Sequence, residues 1–172
     1  MSLDELFGPN APAQGRISNA EKLYRPKSLQ ALDEKSASFL KGYMESVTGL
    51  LLPVVVHSHC VILWLVDQAG TILFALEELV EEQTGELVAV RPRGNWGNIA
   101  GTIKLGHPSL LDAEDKHARI GGEISFNRTT SQWEITNRSG RYGTRSHQTL
   151  HHLQAATEKF KLYGIELIPS FS

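Results

Sequence analysis

Three short stretches concentrate the side chains that could do acid–base or anion chemistry. "LGHPSLL" holds His107 and Ser109, "RIGGEISF" holds Arg119 and Glu123, and "NRSGRYG" holds Ser139, Arg141 and Tyr142. An imidazole and a carboxylate form a proton-transfer pair suited to neutral pH, so His107 and Glu123 are the catalytic candidates. Guanidinium, phenol and hydroxyl groups bind anionic oxygens, which makes Ser109, Arg119, Ser139, Arg141 and Tyr142 the substrate-binding candidates, for a phosphate-bearing or NAD-like substrate. The rival reading is structural: glycines permit tight turns and polar groups cap strand ends. A turn accounts for Asn137 and for Gly140, both tolerant of left-handed backbone. It does not account for two arginines and a tyrosine beside them.

Other clusters carry less. In "HSHC", His57 and His59 share one face of a strand and Cys60 lies on the other, so the three do not converge on one metal without a bulge. His147 and His151 have the helical spacing of two ligands, but no third ligand lies beside them in the sequence. No metal site and no cofactor are therefore expected. "EELVEEQTGE" reads as a solvated helix face or a docking surface for a basic partner. "RPRGNWGN" combines Arg91, Arg93 and Trp96, a composition that stacks on and neutralises nucleic acid but also serves as a strand-connecting loop. A P-loop, a dinucleotide fingerprint and a nucleophile elbow are absent from the sequence.

The elements that must position these residues follow from periodicity. Residues 1–25 read as a partly ordered tail in which "LDELF" is a short docking element, and 26–172 as a single domain. A helix is expected from an N-cap at Ser28, with Leu29, Leu32, Phe39, Leu40, Tyr43, Met44 and Val47 on one face and a stop at Gly49. "VVVHSHCVILWLV" reads as a central strand, turned by "DQAG" at Gly70 into "TILFAL". A short helix over "LEELVEEQTG" follows, ended by Gly85. "ELVAVRP", "IAGTIKLG", "ARIGGEISF" and "QWEITN" read as further strands. "HQTLHHLQAATEKFKLYG" is a closing amphipathic helix with Leu150, Leu153, Ala156, Phe160 and Tyr163 inward, and "IELIPSF" is an edge strand because Pro169 cannot donate to a ladder. The expected class is α+β: a mainly antiparallel β-meander sheet packed against an N-terminal and a C-terminal helix.

A net charge of -2 over 172 residues gives no global attraction to nucleic acid or anionic membrane, so nucleic acid is not an expected partner. The one cysteine forms no internal disulfide, which suits a reducing cytosol. No apolar run is long enough to span a bilayer, and the N-terminus lacks the basic start and apolar stretch of a signal peptide. The expected location is the cytoplasm, or a target-cell cytosol reached through a dedicated secretion system.

In order and spacing the three stretches resemble a module of bacterial polymorphic-toxin C-terminal domains and plant IQ-motif calmodulin-binding proteins, over roughly residues 60–165. That module carries a His-Ser-Ser-Phe segment, an Ala-Gly-Glu strand and a Ser-Gly-His-Tyr turn ahead of a closing helix. The matching residues are His107 and Ser109, Gly122 and Glu123, and Ser139, Gly140 and Tyr142. Pro108 replaces the first serine, Leu110 the phenylalanine, and Arg141 the histidine, whose proton transfer a guanidinium cannot replace although it still binds anions. The sequence has no IQ segment, so calmodulin binding does not carry over. The resemblance implies a bacterial effector or toxin-type domain. The alternative is a non-catalytic immunity or adaptor protein that binds a protein partner, whether a cognate toxin, an immunity protein or a carrier. A start methionine and a complete small domain fit that alternative. Clustering of His107, Glu123 and Arg141 would favour the enzyme, and their dispersal the binder.

Overall fold

The computed structural model describes residues 1–49, 60–90 and 99–172. His57, His59 and the whole of "RPRGNWGN" lie outside them. The chain starts with α1 (Leu3–Phe7), whose Ser2 and Glu5 cap each other's backbone, then β1 (Ala11–Pro12), α2 (Asn19–Leu23) with the same reciprocal cap from Ser18 and Glu21, and β2 (Gln30–Ala31). The segment read as a partly ordered tail thus carries three of these elements. The long helix α3 (Glu34–Gly49) follows. Its start differs from the expected Ser28: Gln30 and Ala31 pair with a strand, and the reciprocal bonds between Asp33 and Ser36, 2.7 and 2.9 Å, fix the N-terminus instead. Ser28 is occupied elsewhere, donating to Glu78 Oε2 at 2.5 Å and accepting from Leu76 N–H at 2.9 Å.

β3 (Ile62–Val66) and β4 (Ile72–Leu76) form the expected hairpin, with Gly70 at φ 84° in the turn. β5 (Glu78–Glu81), β6 (Leu87–Val90) and β7 (Thr102–Lys104) form a separate three-stranded sheet ordered β6-β5-β7. β5 corrects the expected short acidic helix. Its period is two: Glu78 and Val80 point inward, and the buried Glu78 carboxylate accepts from the N–H groups of Lys27 and Ser28 at 2.9 and 2.8 Å. A 3-10 turn (His107–Leu110), β8 (His117–Ala118), β9 (Ile120–Asn127), β10 (Gln132–Thr136), α4 (Leu150–Leu162) and β11 (Ile168–Ser170) complete the chain.

The main sheet has the order β11-β10-β9-β3-β4-β2, antiparallel throughout except for the parallel pair β10–β11, with β11 at the edge. It is the α+β architecture expected. Ile62, Trp64 and Val66 face a core closed by Phe7 of α1, Leu40, Met44 and Val47 of α3, and Leu153, Ala156 and Phe160 of α4. Burying each such aliphatic or aromatic side chain contributes about 1.5–3 kcal/mol. The expected inward faces are correct except at Phe39, Leu150 and Tyr163, which are exposed, and at Leu29, which precedes α3 and packs on the opposite side of the sheet. On the opposite side of the sheet, Leu63, Leu65 and Ala75 pack beneath Leu110, Leu111, Ala118 and Tyr142. That second face carries the polar stretches.

Candidate functional site

The three stretches meet on the second face because glycines let their backbones touch. A Cβ on Gly122 would lie 1.7 Å from Thr136 O, and one on Gly143 would lie 1.8 Å from Asn137 O and 2.2 Å from Gly121 O. The turn after β10 is therefore pressed onto β9 at its paired glycines. Asn137 closes that turn by donating from Nδ2 to Gly143 O at 2.9 Å, and Ser139 Oγ accepts from the N–H groups of Arg141 and Tyr142 at 3.3 and 3.2 Å. Gly140, read as the left-handed residue of the turn, has open space around it and no positive φ; the close approach is at Gly143.

His107 joins the same junction from the 3-10 turn. Its Nε2 donates to Gly122 O at 2.8 Å, and burial pushes its pKa down to about 4, with Lys104 and Arg141 adding to the shift. The ring is therefore neutral at neutral pH, with one nitrogen committed to the backbone. Ser109 is fully buried and donates to Gly106 O at 2.6 Å. Tyr142 is fully buried, its hydroxyl donating to Lys116 O at 2.7 Å, and burial raises its pKa. Glu123 is half-buried on β9, one residue along from the carbonyl that His107 holds, and shares a sheet face with Leu63 and Leu65. His107, Ser139, Arg141 and Tyr142 are thus brought to one junction, with the Glu123 backbone next to it. Arg119 sits at the far end of it, before β9.

The arginines face a different target from the one expected, the chain's own segment 4–16. Arg119 Nη1 donates to Asp4 Oδ1 at 2.5 Å and to Gly8 O at 3.0 Å, while its Nε holds Gln68 O at 3.1 Å. Arg141 Nη1 donates to Gln14 O at 3.0 Å and Arg16 O at 2.5 Å, and Arg141 O accepts from Gln14 N–H at 2.9 Å. Its Nη2 lies 3.8 Å from the buried carboxylate of Glu21. Between these two, β1 pairs with β8 through Ala11 opposite Ala118 and Pro12 opposite His117.

Sequence reasoning passed over Arg145. Its guanidinium is buried 5.1 Å from the Tyr142 ring centroid; it donates to Ala118 O at 2.9 Å and Ala11 O at 2.7 Å, and also to Pro12 O. The signal was present as a third arginine four residues after Arg141, just ahead of the closing helix. Lys116 was also missed. It is buried at φ 52°, its ammonium donates to Leu111 O at 2.5 Å, and burial lowers its pKa to about 8, assisted by Arg25.

Taken together, the junction is a set of fixed donors aimed at main-chain carbonyls, suited to gripping an extended polypeptide. A groove of about 700 Å³ between α1 and α4, lined by Leu3, Leu6, His151 and Leu162 among others, includes none of the predicted site residues. Among the described residues no group of three or more His, Cys, Asp or Glu is placed to hold a metal ion, and no helix is long and apolar enough to cross a membrane. His147 and His152 both turn to the side chain of Gln148, at 3.2 and 3.1 Å. Comparison with protein-family models, with curated proteins and with solved structures finds no match for this chain.

Proposed function

We propose that this chain is a non-catalytic protein-binding module, of the immunity or adaptor type, that recognises an extended segment of its partner. The observation that carries this reading is the row of guanidiniums from Arg119, Arg145 and Arg141 bonded to the carbonyls of Gly8, Ala11, Pro12, Gln14 and Arg16. Donors set to read a polypeptide backbone, with a short strand edge beside them, are the equipment of peptide recognition by strand addition. His107, Ser109 and Tyr142, with their protons committed to main-chain carbonyls, serve as the frame behind that row of donors.

A second reading, a bacterial effector or toxin-type domain acting on a phosphate-bearing or NAD-like substrate, is favoured by one feature: Arg141 lies close enough to His107 to lower its pKa, and the His107 ring holds the carbonyl next to Glu123. Induction of the intact protein in a bacterial cytosol separates the two, beside Glu123→Ala and Arg141→Ala variants at equal soluble level. The binding reading expects undisturbed growth and, under in-cell cross-linking, a stoichiometric protein complex that Arg141→Ala loses. Growth arrest by the parent that Glu123→Ala relieves would overturn it in favour of the enzyme.

A further inference from the structure

The segment that the three arginines hold has the features of a removable occupant. Phe7 fixes the chain in the core just before it, but residues 8–16 are held chiefly through main-chain atoms, so the side chains of this stretch contribute little to its seat. Its pairing with β8 extends over only two residues, one of them Pro12, which has no N–H to give. Asn10 Oδ1 is buried without a protein donor, so the seat is imperfect. The anchor at its start, the ion pair of Arg119 with Asp4, uses a carboxylate that is largely exposed. Where the segment leaves, Arg119, Arg141 and Arg145 remain in one row with guanidinium donors to satisfy and one positive charge in excess of Asp4 and Glu21.

Resting on the protein-binding reading above, we infer that residues 8–16 are a cis strap over a groove floored by the three arginines, displaced in trans by an extended acidic peptide segment of the partner while α1 stays docked through Phe7. The choice of an acidic ligand follows from the charge of the row: three guanidiniums meet two carboxylates, Asp4 on Arg119 and Glu21 on Arg141, while Arg145 donates to carbonyls. A trans segment offering both carbonyls and carboxylates replaces every bond the strap makes and adds charge-assisted ones. The strap therefore sets a threshold: the groove is closed to weak peptides and opens to those that match it.

The test uses the full chain and a fluorescein-labelled peptide of residues 8–16 carrying Asn10→Asp and Gln14→Glu, followed by fluorescence anisotropy. Gly8→Val loosens the strap, because Gly8 sits at φ 82° and ψ 168°, where only glycine is unstrained. Asp4→Ala loosens it independently by removing the anchor of Arg119. Hydrogen exchange of residues 8–16 should accelerate in both variants while β3 and β9 stay protected. Peptide affinity should rise at least tenfold over the parent, fall again when Arg141→Gln is added, and be lost for the peptide carrying Asn10→Lys and Gln14→Lys. Equal affinity for parent and loosened chains, equal binding of the lysine peptide, or undiminished protection of residues 8–16 in both variants would overturn the proposal. Should that happen while the Arg141-dependent complex persists in cells, the strap fails and the binding reading stands; loss of both rejects both.

Discussion

At the scale of single residues, a phenol shielded from water with a carbonyl 2.7 Å away keeps its proton and acts as a clasp. Tyr142→Phe keeps the ring against Leu110 and Leu111 but leaves Lys116 O unmet, so urea denaturation should show a loss of about 1–2 kcal/mol. Gly122→Ala is a harsher change, because its methyl would collide with Thr136 O, an atom fixed in the neighbouring strand β10. A loss of about 3 kcal/mol is expected, seen as a fall in Tm of about 6–12 degrees. The residue types in these stretches were legible in the sequence, and so was the need for turns beside them. Their partners were not: Tyr142 and Lys116 are 26 positions apart, and nothing in either side chain encodes which carbonyl it will meet.

At the scale of elements, the periodic segments were readable wherever local pattern and tertiary burial agree, as in β3, β9 and α4. They disagree at β5. Its glutamates suggest a solvated helix, yet Glu78 turns inward because the backbone amides of Lys27 and Ser28 meet it there. Glu78→Gln replaces one carboxylate oxygen with an amide donor that cannot accept from these groups. A cost of about 1.5–3 kcal/mol is expected, with faster hydrogen exchange at the Lys27 and Ser28 amides as its local signature. The start of α3 was misplaced for the same reason, since Ser28 is drawn to Glu78 and the reciprocal Asp33–Ser36 cap lies five residues on. The N-terminal segment was legible as Pro- and Gly-rich chain, but its destination depends on arginines more than 100 residues away.

At the scale of the whole molecule, burial of His107 couples folding to pH. The folded ring has its pKa pushed down to about 4, while the unfolded chain protonates near 6.5, so between these values the unfolded state binds the extra proton. Stability present at neutral pH should therefore fall as pH drops from about 6.5 to about 4, by up to about 3 kcal/mol from this group, and level off below. Chemical denaturation at several pH values checks it, and His107→Gln, which keeps a donor for Gly122 O, should flatten that window. The strap has a consequence in time as well as in energy. Residues 8–16 are made early in synthesis, but Arg141 and Arg145, which seat them, emerge well over a hundred residues later. At about 5–20 residues per second the segment waits on the order of ten seconds beside the ribosome, open to any chaperone or partner that reads an extended chain.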